Sequence, residues 1–219
     1  MIGRRPLKTR GRAWARGLAR WLSTRAVAPN TISLSSLIPA AGAGACFLLV
    51  PHAVRPVQVV LLLLAAGLIQ LRLLANMLDG LVAVEGGRKT ATGDLFNEVP
   101  DRVADVLILA PAGYALTWLG SVGITLGWLV AVLAVLSAYV RVFGGSLGFQ
   151  QSFIGPMAKQ HRMALLTLTC LVSILEVITI GYQGRVLSVG LTIIGLGTAF
   201  TIVRRLGLIA RQLQERLPK

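Results

Sequence analysis

The stretch NMLDGLVAVEGGRKTATGDLFNEVPDRVAD, residues 76–105, decides how the rest of the chain is read. The protein has eight acidic residues, and six of them lie here: Asp79, Glu85, Asp94, Glu98, Asp101 and Asp105. On either side the sequence is mostly long apolar runs. Carboxylates at the ends of membrane-length segments are costly to desolvate and mark functional sites.

Working outward, a chain of 219 residues that is 55% hydrophobic and 14% charged is not a soluble domain of that size. Its apolar runs approach the roughly 20 residues that a bilayer-spanning helix requires. The expected fold is an all-α membrane protein with six transmembrane helices, near residues 31–50, 57–78, 93–118, 122–143, 163–182 and 186–203. Ahead of them, Leu7, Trp14, Leu18, Trp21 and Leu22 form an apolar stripe opposite a run of arginines. This predicts an amphipathic interfacial helix over residues 7–24. Pro29 and Asn30 end that helix, with Asn30 or Thr31 as N-cap of the first span, and Pro39 is a candidate kink. The expected organisation is a basic juxtamembrane helix (1–25), one transmembrane domain (26–205) and a basic tail (206–219), with no cleavable signal peptide.

The net charge of +14 lies in tails and loops. One side collects the N-terminal segment, Arg88, Lys89, Lys159, Arg162 and the C-terminal tail, and the other has only Arg55 and Arg185. The positive-inside bias predicts a multi-pass protein of the cell (inner) membrane with both termini cytoplasmic. No basic stripe with interleaved aromatics is present, so nucleic acid is not an expected partner. Cys46 and Cys170 sit in apolar runs and read as small buried hydrophobes.

Read as a helix, the third span places Asp94, Glu98, Asp101 and Asp105 on one stripe at spacings of 4, 3 and 4, with Asn97 beside it. Asn76 and Asp79 share a face of the second span, and Arg72 lies on that same face, either partnering the acids or snorkelling to the interface. The polar 85–92 loop returns the chain so that the two oxygen-rich faces meet. Oxygen ligands from two helix ends suit a hard divalent cation, Mg²⁺ or Mn²⁺. Glu176, in the fifth span, has no evident partner in the sequence.

The stretch resembles the signature of the CDP-alcohol phosphatidyltransferase family, D-x2-D-G-x2-A-R-x8-G-x3-D-x3-D. Asp79, Gly80, Ala83, Gly93 and Asp101 fall at the expected intervals, Thr90 fits a small hydroxyl position, and the 101–105 run DRVAD is similar to the phosphatidylinositol-phosphate synthase branch. Three positions depart from the pattern: Asn76 and Asn97 stand where the family has aspartate, and Val84 where it has arginine. The resemblance implies transfer of a phosphatidyl group from a CDP-activated lipid, typically CDP-diacylglycerol, to an alcohol acceptor with release of CMP. It further implies metal ligands at Asn76, Asp79, Asn97 and Asp101, with Glu98 as a substitute ligand, and Asp101 as general base. The CDP contacts it implies are Asp79, Gly80, Ala83, Thr90 and Gly93. Acceptor contacts fall at Arg141, Lys159 and Arg162, with His161 a weaker candidate. Arg72 and Asp105 support the site, and a homodimer is usual for the family. Two alternatives are a relative that binds CDP-lipid without turnover and a small cation-coupled transporter.

Overall fold

The fold was analysed in a computed structural model, which describes residues 17, 18, 21, 24, 25, 28–85 and 92–216, without the side chains of 83–85 and 94. Gly17, Leu18, Trp21 and Thr24 are helical, and Leu18 packs against the cluster of Ile32, Met77, Leu78, Leu81 and Val82. The rest of the expected interfacial helix lies outside the described residues, as do Thr90, Arg88 and Lys89.

The described residues form helices and no strand: α1 Pro29–Ser35, α2 Leu37–Leu49, α3 Arg55–Glu85, α4 Gly93–Tyr114, α5 Ser121–Ser146, α6 Lys159–Thr179 and α7 Arg185–Gln214. Five segments are long and apolar enough to cross a membrane: Pro29–His52, Arg55–Val82, Ser121–Ser146, Lys159–Thr179 and Arg185–Gln214. The expected third span, α4, falls short on composition because it carries the acidic stripe. It is nonetheless packed against α2 and α5 inside the bundle.

The exterior of the bundle is apolar. Ile38, Val60, Leu175, Leu196 and Phe200 are all more than half exposed. A soluble surface would not leave so many large hydrophobes to water, and a bilayer makes them favourable. The chain is a multi-pass membrane protein.

Several boundaries differ from expectation. The first helix begins at Pro29 with Ala28 as N-cap, so neither Asn30 nor Thr31 caps it. Proline at the first helical position suits its fixed φ and missing N–H. The first span is broken at Ser36 rather than at Pro39, because a proline ring crowds the carbonyl four residues earlier and cannot donate to it. Lys159 and Arg162, expected in a loop, form the first turn of α6. The C-terminal helix runs on to Gln214, absorbing most of the expected tail.

Helices α4 and α5 pack backbone to backbone. A Cβ on Gly127 would lie 2.6 Å from the Gly113 Cα, so only glycines allow these backbones to touch. Cys46 and Cys170 are buried free thiols.

Glu176 has a structural task that sequence spacing does not reveal. Its carboxylate accepts the backbone N–H groups of Gln183, Arg185 and Val186, each at 3.0 Å, and so caps the start of α7. Burial pushes the nearby Tyr182 phenol upward, keeping it neutral beside that carboxylate. Glu176→Gln would turn an amide N–H₂ toward a backbone N–H. The expected cost is about 2–3 kcal/mol, read as a lower thermal midpoint in detergent.

Candidate functional site

Helices α3, α4 and α6 bring their polar ends together at one end of the bundle. Asp101 is the hub. Its Oδ1 accepts Asn76 Nδ2 and Arg72 Nη2, the latter at 3.2 Å. Its Oδ2 pairs with Lys159 Nζ and, at 3.5 Å, with Arg102 Nη2. Arg72 Nη2 also reaches the Asp101 carbonyl at 3.1 Å. The i, i+4 relation of Arg72 and Asn76 aims both at the same carboxylate of α4. Arg72 is fully buried, so it partners the acids and does not snorkel.

One helical turn deeper, Asp105 is closed to solvent and shared between Arg72, at 3.4 Å, and Arg162, at 2.9 Å. Arg162 also donates to the Met157 carbonyl at 3.2 Å. Arg162 is only 2% exposed, and its guanidinium is committed to holding Asp105 and the loop before α6.

Asp79 is anchored from the other side. The Ser33 hydroxyl of α1 donates to its Oδ2 at 2.6 Å, with both residues buried. A weak bond of 3.5 Å from Asn30 to Thr92 ties α1 to the start of α4 as well. Sequence reading passed over Ser33, although it stands four residues after Pro29, on the inward face of the helix that this proline starts. Ser33→Ala is expected to cost about 1.5–3 kcal/mol, because it removes a hydrogen bond to a buried charged group. Thermal unfolding of the purified protein reads this directly.

Glu98, the expected substitute for Asn97, is held by arginines. Its carboxylate is engaged by Arg141 at 2.5 Å and by Arg102 at 3.7 Å, one turn on. Arg141 also donates to Gln151 at 3.0 Å and lies over the Phe153 ring. It therefore joins the acidic cluster to a cleft between α5, the 147–158 loop and α7, lined also by Gln150, Ser152 and Gln212. Asn97 is half-buried on α4, and among the described residues its side chain makes no hydrogen bond to the cluster. His161 Nδ1 is bonded to the Pro156 carbonyl at 2.6 Å, a local loop contact. Gly80 and Gly93 lie on the α3 and α4 backbones flanking the site. Ala83 and Val84 are helical residues of α3, and Thr90 is outside the described residues.

Arg205, read from sequence as the edge of a basic tail, is buried in the bundle. It donates to the carbonyls of Ile154, at 3.1 Å, and Ser137, at 2.6 Å. It pins the loop that delivers Lys159 and Arg162. An arginine flanked by apolar residues in a membrane-length run was the available signal.

The donor set bears on the metals that the motif implies. Among the described residues, no three Asp, Glu, His or Cys side chains converge on a cation-sized site. Asp79 and Asp101 are the two carboxylates at the four motif positions, Asn76 and Asn97 are neutral, and both Asp101 oxygens already accept from amide or cationic groups. A pair of divalent cations is normally held by more anionic oxygen than this. Among the described residues the donor set does not fit a two-metal site.

No protein-family model matches the chain. Inner membrane protein YnbA of Escherichia coli (strain K12) is 27% identical over 142 residues, covering 65% of this chain and 66% of that protein, just under two thirds of its length. Among solved structures, the Mycobacterium tuberculosis phosphatidylinositol phosphate synthase PgsA1 in complex with manganese and citrate matches with a TM-score of 0.72 at 20% identity, over 89% of this chain and 88% of that one. The same enzyme with CDP-DAG bound matches with a TM-score of 0.70 at 20% identity, over 89% and 92% of the two chains. The chain has the fold of the phosphatidylinositol phosphate synthase PgsA1.

Proposed function

We propose that this protein transfers a phosphatidyl group from a CDP-alcohol, CDP-diacylglycerol foremost, to the hydroxyl of an acceptor alcohol, releasing CMP. The observation that carries the reading is the meeting of Asp79, Asp101 and Lys159 at one end of a membrane bundle, beside the cleft that Arg141 lines. A lipid substrate can reach this end from the bilayer while its nucleotide stays in water.

In this reading the α3–α4 end, with Asp79, Gly80, Ala83, Thr90 and Gly93, receives the cytidine diphosphate. Small residues there let a ribose or base approach the helix backbone. The acceptor enters from the Arg141 cleft. Its hydroxyl oxygen attacks the lipid-side phosphorus, the bond to the CMP oxygen breaks, and the proton passes to the Asp101 carboxylate. Lys159 and Arg141 stabilise the charge that develops on the transferring group, and such transfer is mostly positioning and charge neutralisation. Arg72 and Arg162 position Asp101 and Asp105. No step is routed through a divalent cation, because the residues present do not fit the pair. The site end is assigned to the cytoplasmic leaflet with both termini cytoplasmic, on the lysine and arginine bias, and the protein to the inner membrane as a homodimer, by analogy with the resembled family.

A second reading is favoured by one observation. Asn76, Arg72, Arg102 and Lys159 all engage the Asp101 carboxylate, so an acceptor hydroxyl must compete with four donors for it. A protein that binds CDP-lipid without turnover would look the same. Incubation of the purified protein with CDP-diacylglycerol and a panel of alcohols separates the two. CMP released above the acceptor-free control supports transfer, and binding without release with any alcohol supports the second reading.

A further inference from the structure

Among the described side chains, Arg72, Arg102, Arg141, Lys159 and Arg162 pair with Glu98, Asp101 and Asp105, and the buried Asp79 carboxylate lies within electrostatic reach of Lys159. Aspartate at positions 76 and 97 would add two negative charges to this cluster. The carboxamides that stand there leave its cations less fully neutralised, which favours an anion as a further partner.

Two further features point the same way. Lys159 reaches Asp101 while its side chain remains 22% exposed, at the open edge of the cluster. An ammonium has three donors, so contact with Asp101 leaves others to point at a second oxyanion. Beneath it, Nε and Nη1 of Arg72 are closed to solvent and have no hydrogen-bond partner. Buried guanidinium donors without acceptors are rare, and they hold positive potential at the floor of the site.

We propose that the diphosphate of a CDP-activated lipid is bound here directly by side-chain cations, Lys159 foremost, without divalent cations. The proposal rests on the functional reading above and deepens it. The carboxamides of Asn76 and Asn97 take part by removing two negative charges that a diphosphate would otherwise have to approach. Asn76 and Lys159 together occupy the Asp101 oxygens that would face a metal. The cationic side chains supply the neutralisation that metals supply elsewhere.

Equilibrium binding of CDP-diacylglycerol to the full-length protein in detergent tests this, first in EDTA and then with Mg²⁺ or Mn²⁺ in excess. The expected result is binding in EDTA, with affinity altered by less than about threefold on adding metal. Lys159→Gln is expected to weaken binding about tenfold, the loss of one charge-assisted contact, with Lys159→Arg largely restoring it. The double variant Asn76→Asp/Asn97→Asp is expected to bind about tenfold more weakly than wild type in EDTA and to recover when Mg²⁺ is added. Binding of the wild type only in the presence of metal overturns the proposal and leaves the transferase reading in place. Wild-type affinity in Lys159→Gln overturns it as well. Absence of binding in every condition removes the functional reading and the proposal together. If Lys159→Gln fails to fold, as read by its thermal transition, the metal arms on the wild type still decide.

Discussion

Arg72→Met should destabilise the protein by about 3–5 kcal/mol, the range for removing one partner of a buried ion pair. Arg72 is fully buried and bridges two carboxylates on the neighbouring helix, Asp101 at 3.2 Å and Asp105 at 3.4 Å. Methionine fills similar space, so the loss is electrostatic rather than a cavity. It leaves Asp105, itself closed to solvent, with Arg162 as its remaining partner. The double variant Arg72→Met/Asp105→Leu discriminates the cause. Removing both charges should recover little of the loss, because Arg162, only 2% exposed, then loses the carboxylate that it holds at 2.9 Å. Thermal unfolding in detergent reads both. A single variant as stable as wild type would show that the pair is compensated by water.

Asp101→Asn should lower the rate of CMP release by about 10²–10⁴-fold, the usual contribution of a positioned general base. The side chain is isosteric, so its one remaining oxygen can still accept from Asn76 and Arg72, while the ion pair with Lys159 and the capacity to take a proton are lost. Asp105→Asn is the informative companion. Asp105 is a turn deeper, has no exposure, and reaches the site only through Arg72 and Arg162. Its substitution should lower stability more than it lowers the rate measured on folded protein.

Much of this was legible in the residues. The 4-3-4 spacing of Asp94, Glu98, Asp101 and Asp105 placed the acids on one helix, and Arg72 could be put on the face of Asn76 and Asp79 because helical periodicity is rigid. What spacing along one helix cannot supply is the partner on another. Lys159 and Arg162 read as loop charges obeying the membrane bias, and only the packing of α6 against α3 brings them onto Asp101 and Asp105. Glu98 sat next to a ligand position in the sequence, yet one residue along a helix turns a side chain by about 100°. That rotation takes it to Arg141. Glu176 had no visible partner because its partners are backbone N–H groups, which every sequence contains. The break at Ser36 lies three residues before Pro39 because a proline acts on the turn that precedes it.

The most direct test of the central claim is to quantify, together, CMP and the new phosphatidyl lipid formed from CDP-diacylglycerol across a panel of acceptor alcohols, with wild type and Asp101→Asn in parallel. The account predicts CMP and a phosphatidyl ester of one acceptor in equal amounts with the wild type, and a loss of both by about 10²-fold or more with the variant. No product with any acceptor, or equal product from the variant, would contradict it.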